Sequence, residues 1–255
     1  MDIQDDFKPA RSEKEKLRQD HEPEAIERRL TRRGRYSCLR DAVLGGIDGA
    51  VTTFAVVSGS VGGGFPRRVA FVLGLANLIA DGFSMAVSNY QGTKSRQEEI
   101  EQARRSEITQ VKAYPEGEKA EVRRIFERKG FGGQTLEKIV ETIASDHERW
   151  VDTMMKEELQ VEQAAPDPKI AAVSTFVFFI IAGFFPLLPF ILSSPQAPVF
   201  AYSAVVTGLA FFLIGMGKGL VVGRNALVSG LGTLLTGAVA AGLAYSVACM
   251  MRDFP

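Results

Sequence analysis

From Ile170 to Gly217 the chain contains no Asp, Glu, Lys or Arg. A soluble helix keeps one face polar, so an uncharged apolar run of this length belongs in lipid, where one span takes about 20 apolar residues to cross a core roughly 30 Å thick. The run holds two spans, and Ser193-Ser194-Pro195-Gln196-Ala197-Pro198 predicts the turn between them. Hydropathy gives five predicted transmembrane helices, near Asp41–Gly64, Val69–Gln91, Ile170–Leu192, Val199–Gly217 and Val221–Met251. The turn Gly62-Gly63-Gly64-Phe65-Pro66 is so short that spans one and two must form an antiparallel hairpin. Pro186 and Pro189 predict a kink in span three. Ser229, Gly230, Gly232, Gly237, Ala240, Ala241 and Gly242 suit span five to close helix packing.

Between spans two and three lies a stretch with charges of both signs that reads as helical throughout. Thr93–Ala113 forms one helix, Pro115 opens a second that ends at Gly130–Gly133, and Gln134–Gln163 forms a third, closed by Pro166 and Pro168. Ile139, Ile143, Trp150, Met154 and Val161 recur at helical spacing, so the three helices can share a small core. The predicted fold class is therefore all-α: an integral membrane protein with five transmembrane helices and a three-helix domain inserted between spans two and three. Its parts are a charged, partly disordered segment (1–39, with the disorder before Pro23), spans one and two (40–93), the helical insert (94–169) and spans three to five (170–255).

Composition alone conceals this. A net charge of +0, 24% charged residues and a mean hydropathy of +0.04 describe an ordinary soluble domain. They average two unlike halves, since after Lys169 only Lys218, Arg224, Arg252 and Asp253 are charged. The charged start has no apolar h-region and predicts no cleavable signal peptide. Arg28, Arg29, Arg32, Arg33, Arg35 and Arg40, the insert, and Lys218 with Arg224 all fall on one side of a five-span protein. The positive-inside rule makes that side cytoplasmic and puts the C-terminus on the far side; Arg67 and Arg68 oppose it. Cys38 and Cys249 lie at opposite ends and predict free thiols.

Ionisable groups within a bilayer are costly and become functional candidates. Two acids lie well inside the apolar spans, Asp48 and Asp81, each about fourteen residues from the Gly-rich corner and so at similar depth. Such a pair can share a cation or satisfy itself with nearby polar groups. Asn77, Asp81 and Met85 are spaced i, i+4, i+8 along one side of span two. Amide oxygen, carboxylate and thioether together suit a transition metal, since magnesium and calcium want oxygen alone; Met85 alone equally suits packing. In the insert, Glu118 and Glu121 are i, i+3, Met154 and Glu158 are i, i+4, and Glu107 precedes them. Spacing leaves open whether these converge on metal or decorate a solvated face. His21 and His147, amid charges, are expected at the surface.

The run Arg40-Asp41-Ala42-Val43-Leu44-Gly45-Gly46-Ile47-Asp48-Gly49, with Thr53-Phe54-Ala55-Val56-Val57-Ser58-Gly59, resembles the first span of the vacuolar iron transporter family, which includes the yeast calcium-sensitive cross-complementer type and plant nodulin-like relatives. Ser84-Met85, Tyr90 and Lys94-Ser95 resemble its second span. Trp150-Val151-Asp152-Thr153-Met154-Met155-Lys156-Glu157-Glu158-Leu159 resembles the end of its cytoplasmic metal-binding domain, and Lys218 with Asn225–Tyr245 its last loop and span. The resemblance covers Arg40 to Met250. It implies a five-span homodimer that exports Fe2+ from the cytosol in exchange for protons, with Mn2+, Zn2+ and Co2+ as further ions and no prosthetic group. It implies translocation roles for Asp48 and Met85, and metal-gathering roles for Glu107, Glu118, Glu121, Met154 and Glu158. Two positions depart from the family pattern. Asn77 stands where span two usually has a glutamate, with Asp81 one turn on, and Gln110 stands where the domain usually has another glutamate.

The expected protein is thus a proton-coupled metal antiporter rather than an enzyme, in a bacterial inner membrane or a vacuolar membrane, with metal ions, protons and lipid as partners. The alternatives are a manganese-preferring exporter and a membrane metal sensor that binds without transport. A di-iron enzyme would call for Glu-x-x-His pairs, which neither histidine supplies. No phosphate-binding loop supports ATP-driven pumping, and nothing calls for nucleic acid.

Overall fold

The computed structural model describes residues 15, 18–31, 39–160, 167–194 and 196–252. The expected disorder before Pro23 falls largely outside them, as do Arg32, Arg33, Arg35, Cys38, Val161, Pro166 and Pro195. The chain forms two units, divided after Tyr36. The first holds α1 (Pro23–Thr31), a short charged helix with Glu24 in its first turn. The second holds the membrane helices and the insert.

Among the described residues five helices are long and apolar enough to cross a membrane, so the protein is an all-α, multi-pass membrane protein. Span one is α2 (Leu39–Gly62). It ends where Gly64 takes φ +74, a left-handed conformation that glycine adopts without cost, and Phe65 N–H returns to the Ser60 carbonyl at 2.9 Å. Span two opens α3 (Arg67–Ala113), whose 47 residues make a rod of about 70 Å, more than twice the hydrocarbon thickness. The sequence separates span two from the helix at Thr93. Instead the helix runs through Gly92 without a break, because i→i+4 bonding costs only about 1 kcal/mol at a lone glycine.

Beyond α3, the insert contains α4 (Pro115–Arg128), α5 (Gly133–Ala144) and α6 (His147–Glu157). The single helix expected over Gln134–Gln163 is two, which corrects the three-helix count. Ser145 Oγ donates to the Thr142 carbonyl, and Asp146 caps the next helix by accepting from Arg149 N–H at 3.0 Å. The break folds α6 back so that Trp150, Val151, Met154 and Met155 bury against Val111, Val122, Leu136, Val140 and Ile143.

Span three is α7 (Pro168–Phe184), a 3-10 turn (Phe185–Leu187) and α8 (Leu188–Leu192). Pro168 opens this span rather than closing the insert, with Asp167 as its cap. The expected kink is the 3-10 turn, where buried Ser203 Oγ donates to the Pro186 carbonyl at 2.7 Å. Spans four and five are α9 (Val199–Val221) and α10 (Ala226–Met251). Arg67, which the charge rule disfavours at the α2–α3 corner, donates to the carbonyls of Pro189, Phe190, Ser193 and Ser194. The negative end of α8 thus receives its charge.

Span one sits at the centre of the bundle because it is small where it is crowded. Gly45 and Gly49 lie directly on the Thr175 and Phe179 carbonyls of α7, and a Cβ on Gly183 would stand 2.6 Å from the Gly49 carbonyl. Gly232 on α10 has nothing within 4 Å. Gly49→Leu is therefore expected to destabilise the protein by about 3 kcal/mol or more, because backbone cannot yield to an added side chain. Gly232→Leu should leave the thermal midpoint in detergent unchanged or slightly raised.

Candidate metal sites

The first polar group occupies the seam between α2 and α3. The face of α2 turned to its neighbours carries Gly45, Gly46, Gly49, Ala50, Thr53 and Val57. Asp41, which is also buried, lies seven residues before Asp48 and eleven before Thr52, so the three share one stripe that runs beside Gly45. Asp48 is half-buried, with Thr52 Oγ1 donating to its carbonyl at 2.9 Å. The Asp48 and Asp81 carboxylates are close enough to interact electrostatically. Asn77, Asp81 and Met85 are all half-buried; Asn77 Nδ2 has no hydrogen-bond partner, and Met85 packs against the cluster containing Leu78 and Phe179.

The sequence reading missed the next turn of the same stripe. Asn89, four residues beyond Met85, donates to Asp41 Oδ1 at 2.9 Å, to Thr175 Oγ1 at 2.7 Å and to the Ala171 carbonyl at 3.3 Å. Asp41 is buried, and among the described residues its Oδ2 has no hydrogen-bond partner. Extending the i, i+4 stripe past Met85, and stepping back seven residues from Asp48, would have found both. The seam therefore holds three carboxylates and two amides.

The second group lies in the insert, where α3, α4 and α6 meet. Glu107 from α3 and Glu118 from α4 are 2% and 5% exposed, which is rare for glutamates without a cationic partner. Glu107 Oε1 and Glu118 Oε2 each lack a hydrogen-bond partner, and the Met154 side chain from α6 is fully buried. Burial, the hydrogen bond with Glu118 and the charges of Glu118, Glu158 and Glu121 push Glu107 up to about 8. Burial also raises Glu118, partly offset by that hydrogen bond, and desolvation with the Glu121 and Glu118 charges raises Glu158. Glu121 and Glu158 are otherwise exposed. Gln110 is exposed too, and its amide donates to Ser106 Oγ at 3.3 Å, turned to the outer face of α3.

Among the described residues, no three carboxylate, imidazole or thiol groups are already drawn to ligating distance. What the insert offers is a set of acids crowded beside a soft sulfur, of which Glu107, pushed up to about 8, holds its proton at neutral pH. A divalent cation that displaced that proton would relieve both repulsion and desolvation. His147 and His21 are exposed. Cys249 is exposed as well, donating weakly to the Gly62 carbonyl at 3.5 Å.

The family model described as the VIT family matches residues 39–249. The chain is 31% identical over 217 residues to vacuolar iron transporter 1 of Arabidopsis thaliana, across 84% of this chain and 86% of that protein. It is 30% identical over 213 residues to vacuolar iron transporter 1 of Oryza sativa subsp. japonica, across 82% and 84%. It is also 30% identical over 224 residues to the vacuolar iron transporter of Toxoplasma gondii, across 84% and 74%.

The raised acids give the metal-free protein a definite pH dependence. Below the ordinary value of 4.5 both folded and unfolded states carry the Glu107 proton; between there and about 8 only the folded state retains it. Stability must then fall as pH rises through that window. Thermal midpoints of the metal-free, full-length protein should drop between pH 5 and pH 8, and Glu107→Gln should flatten the slope. Mn2+, a redox-stable probe, should raise the midpoint more at pH 8 than at pH 6.

Proposed function

The chain belongs to the VIT family, and we propose that it carries Fe2+ out of the cytosol in exchange for protons. Membership makes it a membrane transporter rather than an enzyme, and the relatives' shared name supports iron as cargo. The observation that supports the mechanism is the electrostatic interaction between the Asp48 and Asp81 carboxylates, each about fourteen residues from the hairpin corner. A lone carboxylate there is costly, while two of them attract a divalent ion strongly.

In this reading the insert is cytoplasmic and gathers metal on Glu107, Glu118, Glu121, Met154 and Glu158. The ion passes the Asp41–Asn89 cluster, reaches Asp48 with Asn77, Asp81 and Met85, and leaves on the far side as protons displace it. Carboxylates hold metal only when deprotonated, so the same groups that bind the ion exchange it for protons. Asp48 is half-buried within a thin five-helix wall. A second copy of the chain closes the path there. Asp81 supplies, one turn away, the charge that Asn77 lacks.

Liposomes containing the purified protein test this directly. Fe2+ uptake should exceed that of empty liposomes and fall to their level in Asp48→Ala. Binding without uptake by the wild-type protein would contradict the reading and favour a sensor. Asp81→Asn should lose proton movement along with iron flux, and Asn77→Glu/Asp81→Asn should restore a measurable part of both. If Asp81→Asn alone transports normally, Asp81 has no such role.

A further inference from the structure

A cavity of about 390 Å³ opens where α3 and α7 enter the apolar region, on the side of the helical insert. It is lined by Tyr90, Lys94 and Gln97 of α3 and by Asp167, Pro168 and Lys169 at the start of α7. Its level is fixed by sequence on both walls. Between Arg68 and Lys94 the only charged residue of α3 is Asp81, so Lys94 is the first cation past the apolar stretch; on α7 the uncharged run begins immediately after Lys169. Both ammonium groups therefore stand at the hydrocarbon boundary, beside a tyrosine, the residue type that favours the headgroup level.

The lining carries two lysines against one carboxylate, Asp167. The Asp167 carboxylate is engaged in capping α7, accepting from Lys169 N–H at 2.8 Å. Lys94 meets Glu98 at 3.7 Å in a loose pair, 47% and 65% exposed. Among the described residues no carboxylate pairs with the Lys169 ammonium. One turn deeper, Asn89 bonds the Ala171 carbonyl, so the two helices are held together directly beneath the cavity. Two lysines and a phenol around a cavity at this depth match a phosphodiester whose acyl chains continue downward along apolar helices.

We propose that this cavity binds the headgroup of an anionic phospholipid, which bridges Lys94 and Lys169 and clamps the start of α7 to α3. A free phosphate offers the same chemistry to the lysines, but it has no apolar tail to hold it at the boundary. The site is separate from both metal sites and does not depend on the transport reading.

The test uses the full-length protein in nanodiscs of phosphatidylcholine with and without phosphatidylglycerol, read by thermal unfolding and by native mass spectrometry of retained lipid. Phosphatidylglycerol should raise the midpoint and remain bound, and Lys94→Gln and Lys169→Gln should each weaken its retention about fivefold. Lys138→Gln, an exposed lysine of the insert, should change nothing. Equal retention by wild type and the double variant overturns the proposal. So does an equal rise in midpoint when millimolar inorganic phosphate is added to phosphatidylcholine discs, which would assign the cavity to a soluble anion.

Discussion

The structure turns on the cost of keeping carboxylates inside hydrocarbon. A charged aspartate at the centre of a span is disfavoured by several kcal/mol unless partners surround it. Here the partners come from the fold itself. The Gly63–Pro66 corner sets the hairpin register so that Asp48 comes within electrostatic reach of Asp81 and Asp41 meets Asn89. A register slip on α3 would carry these groups to different depths and leave each alone in lipid. The tight corner is thus as much a part of the site as the acids.

That seam is bordered by α7, whose Ala171 and Thr175 join Asp41 through Asn89. Glycines at positions 45 and 49 let α7 approach to backbone contact, which occupies one flank of α2 and leaves the Asp48 flank half-open. Span three turns at its prolines, and Arg67 ties the resulting short helix back to the corner. A single unbroken helix, α3, then carries one acid of each group, Asp81 and Glu107. Glu107 and Asp81 are about 40 Å apart along it. Any tilt of the insert is therefore a tilt of the membrane seam, with the Arg104–Asp152 ion pair joining α6 to the same rod.

Much of this was legible in the sequence because lipid imposes simple rules. Uncharged runs marked the spans, the Gly-Pro corner marked the hairpin, and the rarity of Asp48 and Asp81 marked a candidate site. The misses have local causes. Gly92 looked like a boundary, but one glycine does not end a helix whose neighbours are good helix formers. Ser145-Asp146 lay inside a helical pattern, and its capping bonds compete with the helix only once α6 has an apolar surface to fold onto. Asp41 and Asn89 were passed over because they sit at the ends of their spans, where polar residues are ordinary; only their mutual contact and the burial of Asp41 set them apart. Burial of Glu107 and Glu118 was equally hidden, since a helix-face glutamate looks the same in sequence whether solvated or enclosed.

Proton exchange is the central claim, and driving the carrier with protons alone tests it most directly. Liposomes containing the wild-type protein would be given equal Fe2+ inside and out and an acidic interior, with internal iron followed by a trapped indicator. The account predicts that iron accumulates inside against its own rising gradient and leaks back when an ionophore collapses the pH difference. Iron that stays at equal concentration across an intact pH gradient, while still equilibrating when its own gradient is imposed, would contradict proton coupling and leave a passive metal pathway.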